Sequence, residues 1–396
     1  MDVLFEPLHF RNLTVKNRIF RSNISGRFDN YDGSGNPTRI NWELKFARGG
    51  VGAIVSSFVP VSIHGRIVPN YATVDRDACI PFWREVGERV HEYDCKFILQ
   101  LSHSGRQRDI PGVEFESGLS STDKPEPLHG FPCVRMTRQD IRDTVRDFAQ
   151  GARRARAAGL DGVELHGANG YLITQFLSSG INDRDDEYGG SVANRARFVL
   201  EIVRAIRAEV GDDFHLQMKI NGVDFNNAML PWERPGNTLK ETLQICRWLE
   251  EAGVDAIVVS TGSSFPHPRN PPGGINAHVL TKTYDTMASS GLYTFRNYAI
   301  FRTWPLGALF QWWWNHNDGG APEGINLPDA RQVKRTVGIP VLCTGGFQTA
   351  SVIREAITKG WCDGVTIARS LVANNDLVHM LSLIHISEPT RQAEIS

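Results

Sequence analysis

Eight short β-rich runs recur along the chain, at 18–24, 51–57, 95–101, 161–166, 214–220, 254–260, 339–345 and 363–368. Each is nearly continuous in apolar residues, the pattern of parallel strands covered on both faces. Between them lie stretches with helical spacing, clearest at 140–158, 191–210, 238–252 and 350–358. Eight β/α units in one chain predict an α/β fold closed into a TIM (β/α)8 barrel; doubly wound sheets more often have fewer strands. Four runs follow a similar handoff: Gly50-Val51-Gly52, Gly159-Leu160-Asp161-Gly162, Gly253-Val254-Asp255 and Gly360-Trp361-Cys362-Asp363-Gly364. Glycine there can take the left-handed conformation that ends a helix before the chain enters a strand. These turns belong to the N-terminal face of the barrel, where residues serve stability rather than chemistry.

Long βα-loop insertions mark the opposite face. They include 60–77 after the second run, 103–132 after the third and 261–327 after the sixth. The last holds HPRNPPGG at 267–274 and an aromatic segment at 304–314. Such insertions are expected to act as lids or as contacts within a homo-oligomer. The run Trp312-Trp313-Trp314 is expected to pack or to meet another subunit, rather than to cage a ligand.

Composition narrows the class. Hydrophobic residues are 41% of 396, enough for a large core and too many for a disordered or collagen-like chain. The formal net charge of -1 gives no sequence-independent attraction for nucleic acid. No uninterrupted stretch of about 18 apolar residues predicts a membrane span, and the first residues do not read as a secretory signal. The six cysteines are scattered without a C-x-x-C pair, so neither zinc nor an iron–sulfur cluster has its usual ligand spacing and no metal is expected. Buried free thiols in a reducing compartment, the cytoplasm, are the expectation.

The ends of the runs carry the chemical signal. Thr344-Gly345-Gly346-Phe347 follows the seventh and Ala368-Arg369-Ser370 the eighth. Glycine lets backbone N–H groups approach a phosphate, helix N-termini favour anions, and arginine adds a charged fork. Phosphate sites in barrels often lie after these two strands. The fourth run ends in Glu164-Leu165-His166-Gly167-Ala168-Asn169-Gly170-Tyr171. A histidine and an amide can donate to one oxygen, and a nearby tyrosine can deliver a proton. Gln100 ends the third run and Lys219 the fifth, an amide for a heterocycle edge and a cation for charge that develops on one.

These pieces resemble the Old Yellow Enzyme family of FMN-dependent NAD(P)H oxidoreductases, or ene-reductases, over roughly residues 3–380. The resemblance rests on Leu4-Phe5-Glu6-Pro7, Lys16-Asn17-Arg18-Ile19, Gln100-Leu101-Ser102-His103-Ser104-Gly105-Arg106 and His166–Tyr171. Its most specific parts are Arg184-Asp185-Asp186-Glu187-Tyr188-Gly189-Gly190-Ser191 and Asn194-Arg195-Ala196-Arg197-Phe198. It implies FMN as cofactor, NADH or NADPH as reductant and a small-molecule substrate. It implies that Ser25 and Phe58 lie by the flavin O4/N5 edge, that Gln100 pairs with the pyrimidine side, and that Lys219 stabilises the anionic reduced flavin. Gly345, Gly346, Ala368 and Arg369 would hold the FMN phosphate. His166 and Asn169 would bind a substrate carbonyl oxygen, and Tyr171 would donate the proton. The segment around Tyr188 is expected to shape a loop, with Ser191 capping the next helix.

Three departures stand out. Ser25 replaces a usual Thr or Cys, and Arg27 and Ser102 replace aromatic residues, which points to a larger or anionic substrate. The stretch 382–392 resembles a translated sequencing adapter, so the barrel is expected to end at residue 381 and 382–396 to be a non-native tail. The function implied is reduction of an activated C=C bond by hydride from NAD(P)H through FMN. The alternatives are the barrel of a dienoyl-CoA reductase or amine dehydrogenase with further domains, and, from another class, a flavin-free phosphate-binding lyase or isomerase.

Overall fold

The computed structural model describes residues 2–108, 114–226, 234–262, 267–268, 277–317 and 323–387. The eight runs form parallel strands: β1 Ile19–Arg21, β2 Ala53–Val55, β3 Lys96–Ser102, β4 Gly162–Gly167, β5 His215–Asn221, β6 Ala256–Ser260, β7 Val341–Thr344 and β8 Gly364–Ile367. Each pairs with the next, and β8 closes on β1 through Val365 opposite Ile19. The expected TIM barrel is therefore the observed fold.

Eight helices wrap the strands: α1 Pro37–Arg48, α2 Ile80–His91, α3 Arg138–Ala157, α4 Val192–Val210, α5 Leu239–Glu251, α6 Leu327–Lys334, α7 Ala350–Thr358 and α8 Leu377–Ser387. Their starts follow from local chemistry. Thr137 and Thr238 form capping boxes with Asp140 and Glu241, and Ser191 Oγ accepts from Asn194 N at 3.2 Å. The handoff glycines Gly50, Gly159, Gly253 and Gly360 all have positive φ, between 64° and 104°, as the left-handed helix ends require. The loop before α4 is shaped as expected: Arg184 chelates Asp186 and donates to the Met136 carbonyl, while the Tyr188 hydroxyl donates to Glu201.

Strand side chains alternate between the helices and the lumen. Leu99, Leu165 and Met218 face outward into the main apolar core. A second core fills the bottom of the lumen, where Phe20, Ala53, Ile98, Val258 and Leu342 meet Leu8, Phe10 and Val15 of an N-terminal hairpin. Above it, register stacks polar layers. Gln100 lies opposite Glu164, which lies opposite Gln217; two residues further along, His166 lies opposite Lys219. The upper lumen is thus polar because the inward positions of three adjacent strands are.

The insertion after β6 contributes three helices, Ala277–Met287, Leu292–Arg302 and Leu306–Asn317. Trp314 is buried and lies 5.7 Å, between ring centroids, from Phe310, so the tryptophan run packs within this unit, as expected, although Trp312 is exposed. The unit docks on the loop after β3: Asn297 Nδ2 donates to the Leu128 carbonyl at 2.7 Å and Arg296 to the Pro127 carbonyl at 2.9 Å. The segment 267–274 lies outside the described residues save Pro268 and His267, whose ring stacks on Phe225. All six cysteines are free and buried. Among the described residues no helix is long and apolar enough to cross a membrane. Helix α8 runs across the expected boundary at residue 381.

Candidate active site

Two cavities open at the C-terminal face and share Asn23, Ser25 and Asn169 as a common wall. The larger, about 700 Å³, runs from Lys219 and Asn23 to Gly345, Gly346, Ala368 and Arg369. The smaller, about 350 Å³, is lined by Phe58, Tyr71, Glu126, His166 and Tyr171, among others. Ten of the eleven residues expected at the site line one cavity or both; Gln100 lines neither. It sits one layer down, fully buried, its Nε2 donating to Glu164 Oε1 at 2.8 Å. Its Oε1 is a buried acceptor without a partner among the described residues.

The Gly345–Gly346 turn lines the cleft without a side chain. Gly346 has a φ of 70°, and a Cβ on Gly345 would sit 3.4 Å from the backbone nitrogens of Ile325 and Asn326. Arg369 is exposed at the start of a helix of only five residues, Arg369–Ala373. Anion binding here therefore falls to the guanidinium and the glycine backbone; a helix dipole adds little over so short a run. At the far end of the cleft Lys219 Nζ donates to Asn23 Oδ1 and, at 3.5 Å, to Ser22 Oγ. Burial pushes its ammonium below the usual lysine range, and Glu164 opposes that. Burial likewise raises Glu164, against Lys219 and the amides of Gln217 and Gln100.

In the smaller cavity His166 is buried, and its Nδ1 has no partner among the described residues. Burial holds its imidazole well below the usual histidine range, with Lys219 adding to the effect, so the ring is neutral. Asn169 has a φ of 61°, left-handed for a residue with a side chain; its amide N–H donates to the Gly262 carbonyl at 3.0 Å. Gln107 Nε2 pins its carbonyl at 3.0 Å. This fixed turn holds Asn169 beside His166. Tyr171 packs 4.8 Å from His166 and 4.9 Å from Phe58, between ring centroids. Burial raises its phenol, with Tyr71 adding to the effect and Arg27 opposing it.

Several residues here carry no signal in the sequence. Tyr71 comes from the loop after β2 and hydrogen-bonds Ser25. Glu126 and His129 come from the loop after β3. Asn23 and Glu164 were legible in principle: Glu164 lies two before His166, on the same side of β4, and Asn23 immediately follows the first lumen residues.

The site and barrel together place a cleft lined by Gly345, Gly346 and Arg369 beside a cavity lined by His166, Asn169 and Tyr171 at the C-terminal mouth. The sequence matches the NADH:flavin oxidoreductase / NADH oxidase family over residues 3–294, and the chain belongs to that family, whose cofactor is FMN. It is 31% identical to the NADH oxidase of Thermoanaerobacter brockii over 373 residues, 94% of this chain and 49% of that protein. It is 36% identical to the NADPH dehydrogenase of Geobacillus sp. (strain WCH70) over 273 residues, 67% of this chain and 74% of that protein. The structure of 2-naphthoyl-CoA reductase in complex with 2-naphthoyl-CoA superposes with a TM-score of 0.78 at 24% identity, covering 98% of this chain and 53% of that one, and shares the fold. The chain spans about half the length of that NADH oxidase and of that reductase. Family membership sets aside the flavin-free lyase or isomerase.

The residues fit FMN. The fork of Arg369, unpaired among the described residues, and the glycine backbone suit its phosphate, Lys219 suits a developing negative charge, and the buried Gln100 Oε1 in the layer below has no partner among the described residues.

Proposed function

We propose that the chain reduces the activated C=C bond of an α,β-unsaturated carbonyl compound, with NADH or NADPH as reductant. FMN, when bound, relays the hydride. Lys219 stabilises negative charge on the reduced cofactor by Coulomb attraction in a buried setting. His166, neutral, and Asn169 donate to the substrate carbonyl oxygen, drawing electron density from the alkene. Tyr171, held as a phenol by burial, gives its proton to the α-carbon while hydride goes to the β-carbon. The balance is alkene plus NAD(P)H plus one proton to alkane plus NAD(P)+. Ser25 and Phe58 flank the reacting face, Gln100 supports the cofactor from below, and Gly345, Gly346, Ala368 and Arg369 hold its phosphate. Six buried free thiols support a reducing, cytoplasmic setting.

The observation that carries this reading is the shared wall: His166, Asn169 and Tyr171 face a cavity that adjoins the phosphate cleft through Asn23, Ser25 and Asn169. The test is to purify the protein, extract the cofactor and follow NAD(P)H oxidation with enones, identifying the product. FMN and a saturated ketone are expected. NAD(P)H consumption without alkene reduction would refute the substrate class.

A further inference from the structure

The smaller cavity holds one charged group that the proposed reduction leaves idle. Arg27 lines it, is exposed, and its side chain has no hydrogen-bond or ion-pair partner among the described residues. Neighbouring arginines are committed. Arg39 pairs with Asp29 and Glu43, and Arg66 and Arg108 both pair with Glu114. Glu126, the carboxylate of this cavity, makes no ion pair with Arg27 among the described residues; it accepts from the backbone N–H groups of Leu128 at 2.8 Å and His129 at 2.7 Å, and Arg106 and Arg296 are among the cations that act on it.

The loop fixes the backbone that carries this guanidinium. The buried Arg39 donates to the Gly26 carbonyl at 3.0 Å, one residue before Arg27. Asn70 Nδ2 donates to the carbonyl of Arg27 itself. Phe28, one residue after, packs 4.6 Å from the Arg39 guanidinium. The backbone is thus fixed on both sides, leaving the side chain to face the cavity. The charge is close enough to Tyr171 to favour its phenolate. Phe58, Ile67 and Phe131 supply apolar walls.

We infer that Arg27 is an anion-binding subsite and that the preferred substrate is an α,β-unsaturated carbonyl compound with a carboxylate on an apolar body. The inference deepens the proposed reduction and rests on it. A carboxylate matches the planar guanidinium fork in bidentate fashion, and a half-enclosed cavity screens the attraction less than bulk water does. A neutral enone fills the apolar walls and leaves the guanidinium to water. The phosphates of NAD(P)H are the other anions that enter this cavity, so the two sources must be separated.

The experiment compares 4-phenylbut-3-en-2-one with its para-carboxylate in the oxidative half-reaction, and NADH with NADPH in the reductive one, by stopped flow on the FMN-loaded protein. Wild type and Arg27→Gln are run in parallel. A wild-type kcat/KM ratio of tenfold or more for the carboxylate, falling to near one in Arg27→Gln, is expected. A wild-type ratio near one, or a ratio that Arg27→Gln does not move, overturns the inference. A loss confined to flavin reduction by NAD(P)H also overturns it, since it assigns Arg27 to the nucleotide. Binding of 4-hydroxybenzoate and 4-methylphenol, read from the flavin spectrum, reports on the subsite without turnover. Its preference for the acid should fall at least fivefold in Arg27→Gln. If neither enone is reduced, the proposed reduction fails, while this binding ratio still decides Arg27.

Discussion

Two side chains at the mouth of the barrel, Tyr171 and His166, owe their protonation state to burial. Tyr171 is kept a phenol by burial; in the proposed reduction it gives a proton to the alkene and has no role when NAD(P)H reduces the flavin. Tyr171→Phe should therefore leave flavin reduction nearly intact and slow alkene reduction by about 10²–10⁴-fold; stopped-flow traces showing equal losses in both half-reactions would reject the assignment. His166 has its imidazole pushed well below the usual range by burial and Lys219. An ordinary histidine takes up a proton as pH falls through about 6.5, and a lowered value means His166 stays neutral further down. Its ring NMR signals, assigned with His166→Ala, should stay flat from pH 8 to pH 5; a midpoint near 6.5 would contradict this. Arg369→Ala should weaken FMN binding by about 1.5–3 kcal/mol, the scale of a charge-assisted contact, and leave riboflavin, which lacks the phosphate, unaffected in the same fluorescence titration. His166, with Gln100 and Lys219, was legible because strand alternation puts every second side chain of β3, β4 and β5 into the lumen; Tyr171 and Arg369 were legible because they follow closely on the ends of β4 and β8. Tyr71, Glu126 and His129 were not, because their loops are placed by tertiary contacts that leave no periodic trace.

Among the elements, the barrel strands could be read to within one to three residues because both faces are covered and the runs stay apolar. The three helices of the insertion could not. In Leu306–Asn317, Leu306, Leu309 and Trp312 are exposed while Gly307 and Trp314 are buried, so apolar residues surround the helix and no one-sided stripe marks it. The unit holds its place by hydrogen bonds to a loop. Asn297 is fully buried, and its donor is spent on the Leu128 carbonyl. Asn297→Ala leaves that carbonyl only the longer bond from Arg296 at 3.5 Å, a cost of about 0.5–1.5 kcal/mol, and loosens the wall that carries His129 and Phe131. Faster proteolytic cleavage in 277–317 and a higher KM for bulky enones are expected, with flavin reduction unchanged. A cleavage rate equal to wild type would show that the lid is held by something else.

At the scale of the whole molecule, closure of β8 on β1 leaves one element to seal the barrel wall, helix α8. Its hold lies early in its length. Val378 and Leu381 are 2% and 1% exposed, and the His379 ring hydrogen-bonds the Arg48 carbonyl at the end of α1 at 2.9 Å. The family match covers residues 3–294, and the stretch from residue 382 resembles a translated adapter. We therefore propose that Ser382–Ser396 add nothing to the packed structure. A buried leucine or isoleucine is worth about 1.5–3 kcal/mol, so a tail that buried two of them would shift the melting temperature by several degrees when removed. Deleting Ser382–Ser396 should leave both the melting temperature and the FMN content unchanged. Leu381→Ala, one residue upstream, should cost about 2–5 kcal/mol by emptying a filled site, and so proves that the measurement can see α8. A drop on deletion as large as that of Leu381→Ala would show that the tail is a working part of the last helix.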